Sequence, residues 1–260
     1  MKVTFLGTGA AANPDREQCA LLVEADETLL FDATSGTGIL RQLAAADVRP
    51  SAIRHVFLSH AHFDHAGGLP PLFLALMDTD SPGLTVHGAP QTIDAVRCSI
   101  YDELPGVEQW MGDRLAWHKM ESGEVSKLGG KTRVEAVAVD HTVPCLAYVV
   151  RDNGSAAVVS GDTRFTENLI KASRDADLLI HEAAASAAMA DWLQLTGHSS
   201  PRDAGITARD AGVKKLVLTH IDRDSKYGEV GVLGEASEVY DGEVRMAHDL
   251  MTIGVNSHQA

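Results

Sequence analysis

The sequence predicts a mixed α/β sandwich. Two observations carry that reading. Short apolar, strand-like runs recur along the whole chain of 260 residues. The early runs come as hairpin-like pairs, whereas the later ones alternate with helical patterns. Such an order fits two mixed sheets with helices better than one parallel sheet. An apolar content of 45% is enough for a real core. The length allows one large domain or two small ones, and the chain is read as one domain over residues 1–260.

The strand-like runs lie at residues 3–6, 21–24, 29–31, 56–58, 84–86, 134–139, 147–150, 156–159, 178–180 and 216–218. Each is short, apolar and bounded by turn-forming or polar residues. Helical patterns fill 38–46, 90–101, 166–172 and 201–211. The last begins with Ser200-Pro201-Arg202-Asp203, a capping box with proline in the first turn, and stops at Gly212. The opening residues 1–6, followed by Ala10-Ala11-Ala12, faintly resemble a signal peptide. Gly7 and Gly9 break the apolar stretch, so it reads as a first strand and a turn. Gly7-Thr8-Gly9-Ala10-Ala11-Ala12 also matches the dinucleotide pattern G-x-G-x-x-A. That pattern needs a helix next, but Asn13-Pro14-Asp15 reads as a turn, so no nucleotide cofactor is expected.

Composition narrows the partners. The formal net charge of −14 is the wrong sign for gripping many phosphates. It favours a small-molecule substrate over a long polyanion, and a large RNA is not expected. No run approaches the ~20 apolar residues that span a bilayer, so no membrane partner is expected. Cys19, Cys98 and Cys145 are odd in number and far apart. They suit a reducing, cytoplasmic setting better than a disulfide framework.

The chemistry is concentrated at His60-Ala61-His62-Phe63-Asp64-His65. Three imidazoles and a carboxylate within six positions are hard to explain as packing. They are donors suited to zinc and similar divalent metals. The cluster follows the run 56–58, at the end of an expected strand. His60 and His62 are two apart and point the same way in extended chain. Asp64 and His65 lie beyond and can face a second metal. Four later positions supply the remaining polar groups. His141, Asp162 and His220 each follow a strand-like run, and His198 precedes the capped helix. Strand ends let side chains from distant segments converge on one rigid site.

The order of these motifs resembles the metallo-β-lactamase superfamily, from Phe5-Leu6-Gly7-Thr8-Gly9 to His220. Within it the chain is most similar to the ribonuclease Z and cyclic-nucleotide phosphodiesterase branch. Leu29-Leu30-Phe31-Asp32, His141-Thr142-Val143-Pro144, Gly161-Asp162-Thr163-Arg164, His181-Glu182-Ala183 and Gly197-His198-Ser199 carry that likeness. The resemblance implies a four-layered αββα sandwich with metals in a groove between two sheets. It implies that His60, His62 and His141 hold one ion, that Asp64, His65 and His220 hold another, and that Asp162 bridges them. The cofactors would be two divalent ions, zinc first, with manganese and iron compatible with the same donors. Two ions roughly 3.5–4 Å apart would activate a shared water as nucleophile and clamp a phosphoryl group. Asp64, His198 and Glu182 are the candidate catalytic residues. His198 would serve the leaving group, with Glu182 orienting it. Asp32 is expected to bond a ligand imidazole from behind. A homodimer is a further implication of the resemblance.

The ribonuclease Z resemblance also implies a protruding arm that grips tRNA, between the positions of His141 and Asp162. Here only about 20 residues separate them, enough for two strands and a turn at Asp152-Asn153-Gly154. The expected activity is therefore hydrolysis of a small phosphodiester such as a cyclic nucleotide. A lactone, ester or amide on the same centre is the alternative, because fold does not fix function. Transfer-RNA 3′ processing and a non-catalytic binding role rank below both. Pocket walls are expected from residues 69–82, 101–117 and 192–197, with Trp192 among them. His55, His87, His118, His181, His248 and His258 are expected to be structural or at the surface.

Overall fold

The computed structural model describes residues 1–77, 81–222 and 228–256. His258 lies outside the described residues, as do positions 78–80 of the expected pocket wall. Among the described residues the strands are β1 (Lys2–Gly7), β2 (Ala20–Glu24), β3 (Thr28–Phe31), β4 (His55–Phe57), β5 (Leu84–Gly88), β6 (Leu115–Lys119), β7 (Val125–Lys127), β8 (Arg133–Val139), β9 (Cys145–Asp152), β10 (Ser155–Val159), β11 (Leu178–Glu182), β12 (Lys215–Thr219), β13 (Glu243–Met246) and β14 (Thr252–Gly254). The helices are α1 (Gly38–Ala45), α2 (Phe63–Ala66), α3 (Leu69–Met77), α4 (Pro90–Glu103), α5 (Val107–Met111), α6 (Glu167–Ala172), α7 (Ala190–Thr196), α8 (Pro201–Ala211) and α9 (Gly228–Ser237).

Two seven-stranded sheets form, in the orders β14-β1-β2-β3-β4-β5-β6 and β13-β12-β11-β10-β9-β8-β7. Each is mixed. In the first, β1, β2 and β3 pair antiparallel and β3 to β6 run parallel. In the second, β7 to β10 pair antiparallel and β10 to β13 run parallel.

Strand alternation then builds four layers. Val3, Phe5, Leu21, Val23, Leu29, Phe31 and Phe57 point from the first sheet into a core shared with Leu146, Tyr148, Val150, Ala157, Val159, Leu178, Ile180 and Val217 of the second. The intervening residues point outward. Leu22, Leu30, Val56 and Leu58 pack beneath α1, α3 and α4. Val149, Val158, Leu179, Leu216 and Leu218 pack beneath the helices of the second sheet. These strands are covered on both faces, which is why they read as continuous apolar runs rather than as alternating ones. The expected αββα sandwich is therefore the observed one.

The four strands with no strand-like signature, β6, β7, β13 and β14, are the four sheet edges. Their residues are mostly exposed or half-buried. A strand partnered on one side and wetted on one face needs few apolar residues. One expectation fails outright. The sequence points to a pocket-wall loop over residues 69–82, but Leu69–Met77 is α3, with Leu69, Leu72, Phe73 and Leu76 buried under the first sheet. Prolines at positions 70 and 71 sit in its first turn, where a missing N–H costs nothing. The capping box of α8 is present with both of its reciprocal bonds, and Gly212 ends that helix in the left-handed conformation.

Candidate active site

The candidate residues meet where the parallel strands of both sheets end. Leu58 to His62 form the segment that leaves β4, and Asp64 and His65 lie on α2. His141 follows β8, Asp162 follows β10, Glu182 is the last residue of β11, and His220 follows β12. Bonds from the second sheet hold the β4 segment. The Leu146 N–H donates to the Ser59 carbonyl at 2.9 Å. The Tyr148 hydroxyl donates to the Leu58 carbonyl at 2.7 Å. Gly161, at φ 61°, passes close by, and a Cβ there would sit 2.9 Å from the Ser59 Cβ. Only glycine permits that approach.

Each imidazole is aimed by a bond on its far side. His60 Nδ1 donates to Ser59 Oγ at 2.9 Å, and Ser59 Oγ in turn donates to Asp32. His65 Nδ1 donates to Asp32 Oδ2 at 2.8 Å. His141 Nδ1 donates to the Gly197 carbonyl at 2.7 Å. In His60 and His141 Nε2 is left as a lone pair facing inward. In His65 burial is outweighed by the Asp162 and Asp32 carboxylates, which hold the pKa well above the ordinary imidazole value, so its inward Nε2 keeps a proton that a bound cation would displace. Asp32 thus bonds a cluster imidazole from behind, from a left-handed backbone (φ 57°) at the end of β3. Ser59 does the same for His60. Sequence reasoning missed it, and its only signal was adjacency to the cluster. Gly197 has φ 84°, and a Cβ there would lie 2.7 Å from His141 Nδ1.

Among the described residues three groups of donors result, one of them Asp162, His198 and His220. One ligand atom each from His60, His62, His141 and Asp162 lie within 4.8 Å of one another, and so do those of Asp64, His65 and His220. Asp162 touches both sets. Its Oδ2 is 3.6 Å from His60 Nε2, 3.2 Å from His65 Nε2 and 3.3 Å from His220 Nε2. These contacts fit cations. His62 Nδ1 lies 2.9 Å from His60 Nε2 and 3.3 Å from His141 Nε2. The far-side bonds leave His60 Nε2 and His141 Nε2 without protons, so both can accept from a proton on His62 Nδ1. These spacings are close to the roughly 3.3 Å between neighbouring nitrogens on tetrahedral zinc, so a cation could replace the shared proton with little movement. His65 Nε2 and His220 Nε2 are buried with no hydrogen-bond partner, as expected of ligand atoms.

Burial and neighbouring charge set the protonation. Burial pushes His60 well below the ordinary imidazole value, with His65 adding to the effect. His62 and His141 are lowered mainly by burial too. Burial opposes the Asp162 carboxylate, but His220, His65 and His60 outweigh it and hold the group well below its usual range. Asp64 is lowered in the same way by His220 and His65. Neutral imidazoles and ionised carboxylates are the forms that bind metal.

His198 shares a donor group with Asp162 and His220 but is paired with Glu182. Its Nδ1 lies 2.9 Å from Glu182 Oε1 and 4.0 Å from Asp162 Oδ2. Burial disfavours the imidazolium, but the Glu182 charge and hydrogen bond prevail and raise the pKa to about 9. Glu182 is almost fully buried, and its oxygens also accept from the Thr163 and Ala184 N–H groups. Trp192 stacks on the other side of His198, with ring centroids 6.0 Å apart and planes 15° apart.

Above the cluster lies a cavity of about 360 Å³, walled by Ala10, Ala11, Ala12, Phe63, Trp192 and His198. The glycine turn after β1 thus sits beside the site. The Ala10 N–H donates to the Ile221 carbonyl, and a turn rather than a helix follows. Of the expected pocket walls, only Trp192 lines this cavity among the described residues. Residues 101–117 continue α4 and then form α5 on the far side of the first sheet, packing with α3 and β5. The other described histidines stay outside. His55, His87 and His118 form a ladder on the first sheet. Buried His181 donates to the Glu182 carbonyl, and His248 is half exposed.

The β-lactamase superfamily domain model matches residues 27–221. The chain belongs to the metallo-β-lactamase superfamily. Within it the chain falls in the ribonuclease Z-like branch. It is 30% identical to Ribonuclease Z of Synechococcus sp., over 98% of this chain and 96% of the relative. Its fold is similar to that of the metallo-β-lactamase fold protein YhfI from Bacillus subtilis, with TM-score 0.83, 25% identity and coverage of 97% and 98%. It is also similar to human tRNase Z, short form, with TM-score 0.80, 25% identity and coverage of 99% and 100%. The protein is a metal-dependent hydrolase. No helix among the described residues is long and apolar enough to cross a membrane.

Proposed function

We propose that the protein is a phosphodiesterase that binds two divalent ions, zinc first, and hydrolyses a small phosphodiester. His60, His62 and His141 would hold one ion, and Asp64, His65 and His220 the other, with Asp162 shared between them. The bound ions supply an activated water and positive charge for the phosphoryl oxygens. The observation that carries the reading is His198 on the wall of the same cavity, held from behind by the buried Glu182 carboxylate. A leaving alkoxide needs a proton, and an imidazolium anchored through Nδ1 can give one from Nε2. Glu182 fixes the ring and stabilises its charge. Asp64 and Asp162 hold the ionised forms that the ligand set requires. A reducing, cytoplasmic setting suits the free cysteines, of which Cys19 and Cys145 are buried.

The small substrate rests on what replaces the arm. β9 and β10 pair from Ser155 opposite Asp152, leaving Asn153 and Gly154 as a two-residue turn with φ 47° and 84°. Both residues are left-handed, as the tightest hairpin turns demand. The Synechococcus alignment runs over 319 positions, more than this chain has residues, so the relative carries sequence absent here. The names of the relatives favour a second reading, cleavage of an RNA phosphodiester. One experiment separates the two. Zinc-loaded protein is given cyclic nucleotides and, separately, a precursor tRNA with a 3′ trailer. Cyclic-nucleotide turnover without trailer removal supports the small-substrate reading. Trailer removal at low enzyme concentration without cyclic-nucleotide turnover refutes it.

A further inference from the structure

Phe63 is the residue that neither the fold nor the metal cluster explains. It lies between His62 and Asp64 at the start of α2, where a core position would be buried, yet it is 63% exposed. Its ring borders the cavity over the metal cluster. It also borders a second hollow of about 130 Å³ against α4, walled by Ala66, Pro70, Val96 and Ile100. Phe63 is therefore the shared wall between the reacting centre and an apolar hollow beside it. Trp192, Ala10, Ala11 and Ala12 line the same cavity as the metal cluster.

We propose that Phe63 is a specificity-determining stacking platform for a planar group on one ester arm of the substrate. The substrate class is then a phosphodiester whose retained arm, not its leaving group, carries a nucleoside base. This deepens the phosphodiesterase reading and rests on it. Placement supports the assignment. A phosphate at the cluster has ester arms that must leave past the walls, and Phe63 adjoins two of the cluster residues in sequence. Size supports it too. The main cavity is at the small end of ligand pockets, enough for one small ligand rather than a duplex. The hollow beyond Phe63 has mostly apolar walls, with Ser99 and Glu103 as polar groups that can meet a base edge. A base stacked on an exposed aromatic face binds roughly tenfold or more tighter than one without that contact.

The test uses the metal-loaded protein and Phe63→Ala, a change at an exposed side chain. Two substrates share a p-nitrophenolate leaving group: thymidine 5′-p-nitrophenyl phosphate and methyl p-nitrophenyl phosphate. Wild type is expected to prefer the nucleoside diester in kcat/KM, and Phe63→Ala to shrink that preference about tenfold, mainly through KM. Thymidine 5′-monophosphate binding, by calorimetry, is expected to weaken by a similar factor. An unchanged preference in Phe63→Ala, or equal use of both diesters by wild type, overturns the platform and leaves the phosphodiesterase reading intact. If neither diester is cleaved, the phosphodiesterase reading fails. Nucleotide binding then decides: weakening in Phe63→Ala upholds the platform, and no change overturns it.

Discussion

His87 makes acid stability of this fold calculable. It lies on β5 inside the sandwich, 2% exposed, stacked on Phe57 with ring centroids 4.3 Å apart. His55 passes a bond along, with Nε2 2.9 Å from Glu27 and Nδ1 3.0 Å from His87 Nε2. His87 Nδ1 has no partner. Burial, with His55 and His118 beside it, lowers the His87 pKa from 6.5 to about 3. The folded state therefore refuses a proton that the unfolded chain accepts. The stability that depends on neutral His87 is complete above about pH 6.5 and drains away as pH falls toward 3. At pH 5 the unfolded imidazole is about 1.5 pH units below its midpoint, which costs the fold about 2 kcal/mol. Urea unfolding at pH 7.5 and pH 5 measures the loss, and His87→Phe keeps the ring while removing the titration. The loss between the two pH values is expected to be about 2 kcal/mol smaller in the variant. Subtraction removes the cost of the lost bond to His55, which is common to both pH values. An identical pH dependence in the two proteins would refute the view of His87 as a buried neutral base.

The site yields further expectations. His198→Ala should keep its metal yet lose about 100-fold or more in rate on diesters with poor leaving groups, with a small effect on p-nitrophenolate release; an equal loss on both would remove the proton-donor role. Asp162→Ala should lose at least one ion per chain by elemental analysis, and full retention would refute the shared-ligand assignment. Ser59→Ala cuts the bond to His60 Nδ1 and should weaken zinc roughly 10–100-fold in a chelator competition. Unchanged affinity would show that Asp32 alone orders the cluster. EDTA should abolish turnover, with zinc or manganese restoring it, whereas chelator-resistant turnover would exclude the metal mechanism.

What could be read from the sequence follows burial. Strands covered on both faces, such as β9 and β11, are apolar throughout and announce themselves. Edge strands such as β7 and β14 owe their pairing to a neighbour far away in sequence, so nothing local marks them. Helix α3 was missed for a related reason. Leu69-Pro70-Pro71-Leu72 looks like a loop until the prolines are seen to occupy a first turn over a waiting apolar sheet. The cluster residues were legible because imidazoles and carboxylates at strand ends have little structural purpose. The residues that aim them were less so. Asp32 sat in a motif, but Ser59 and the Gly197 carbonyl are recognisable only by the distances they keep. Phe63 stood in plain view inside the motif, and only its exposure sets it apart from a core phenylalanine.

The most direct measurement is turnover of bis-p-nitrophenyl phosphate beside a simple aryl ester, by zinc-loaded wild type and Asp162→Ala. A phosphodiesterase built on this centre should cleave the diester, cleave the ester poorly, and lose the diester activity in the variant. Ester cleavage without diester cleavage would contradict the account and move the reaction to carbonyl chemistry at the same cluster.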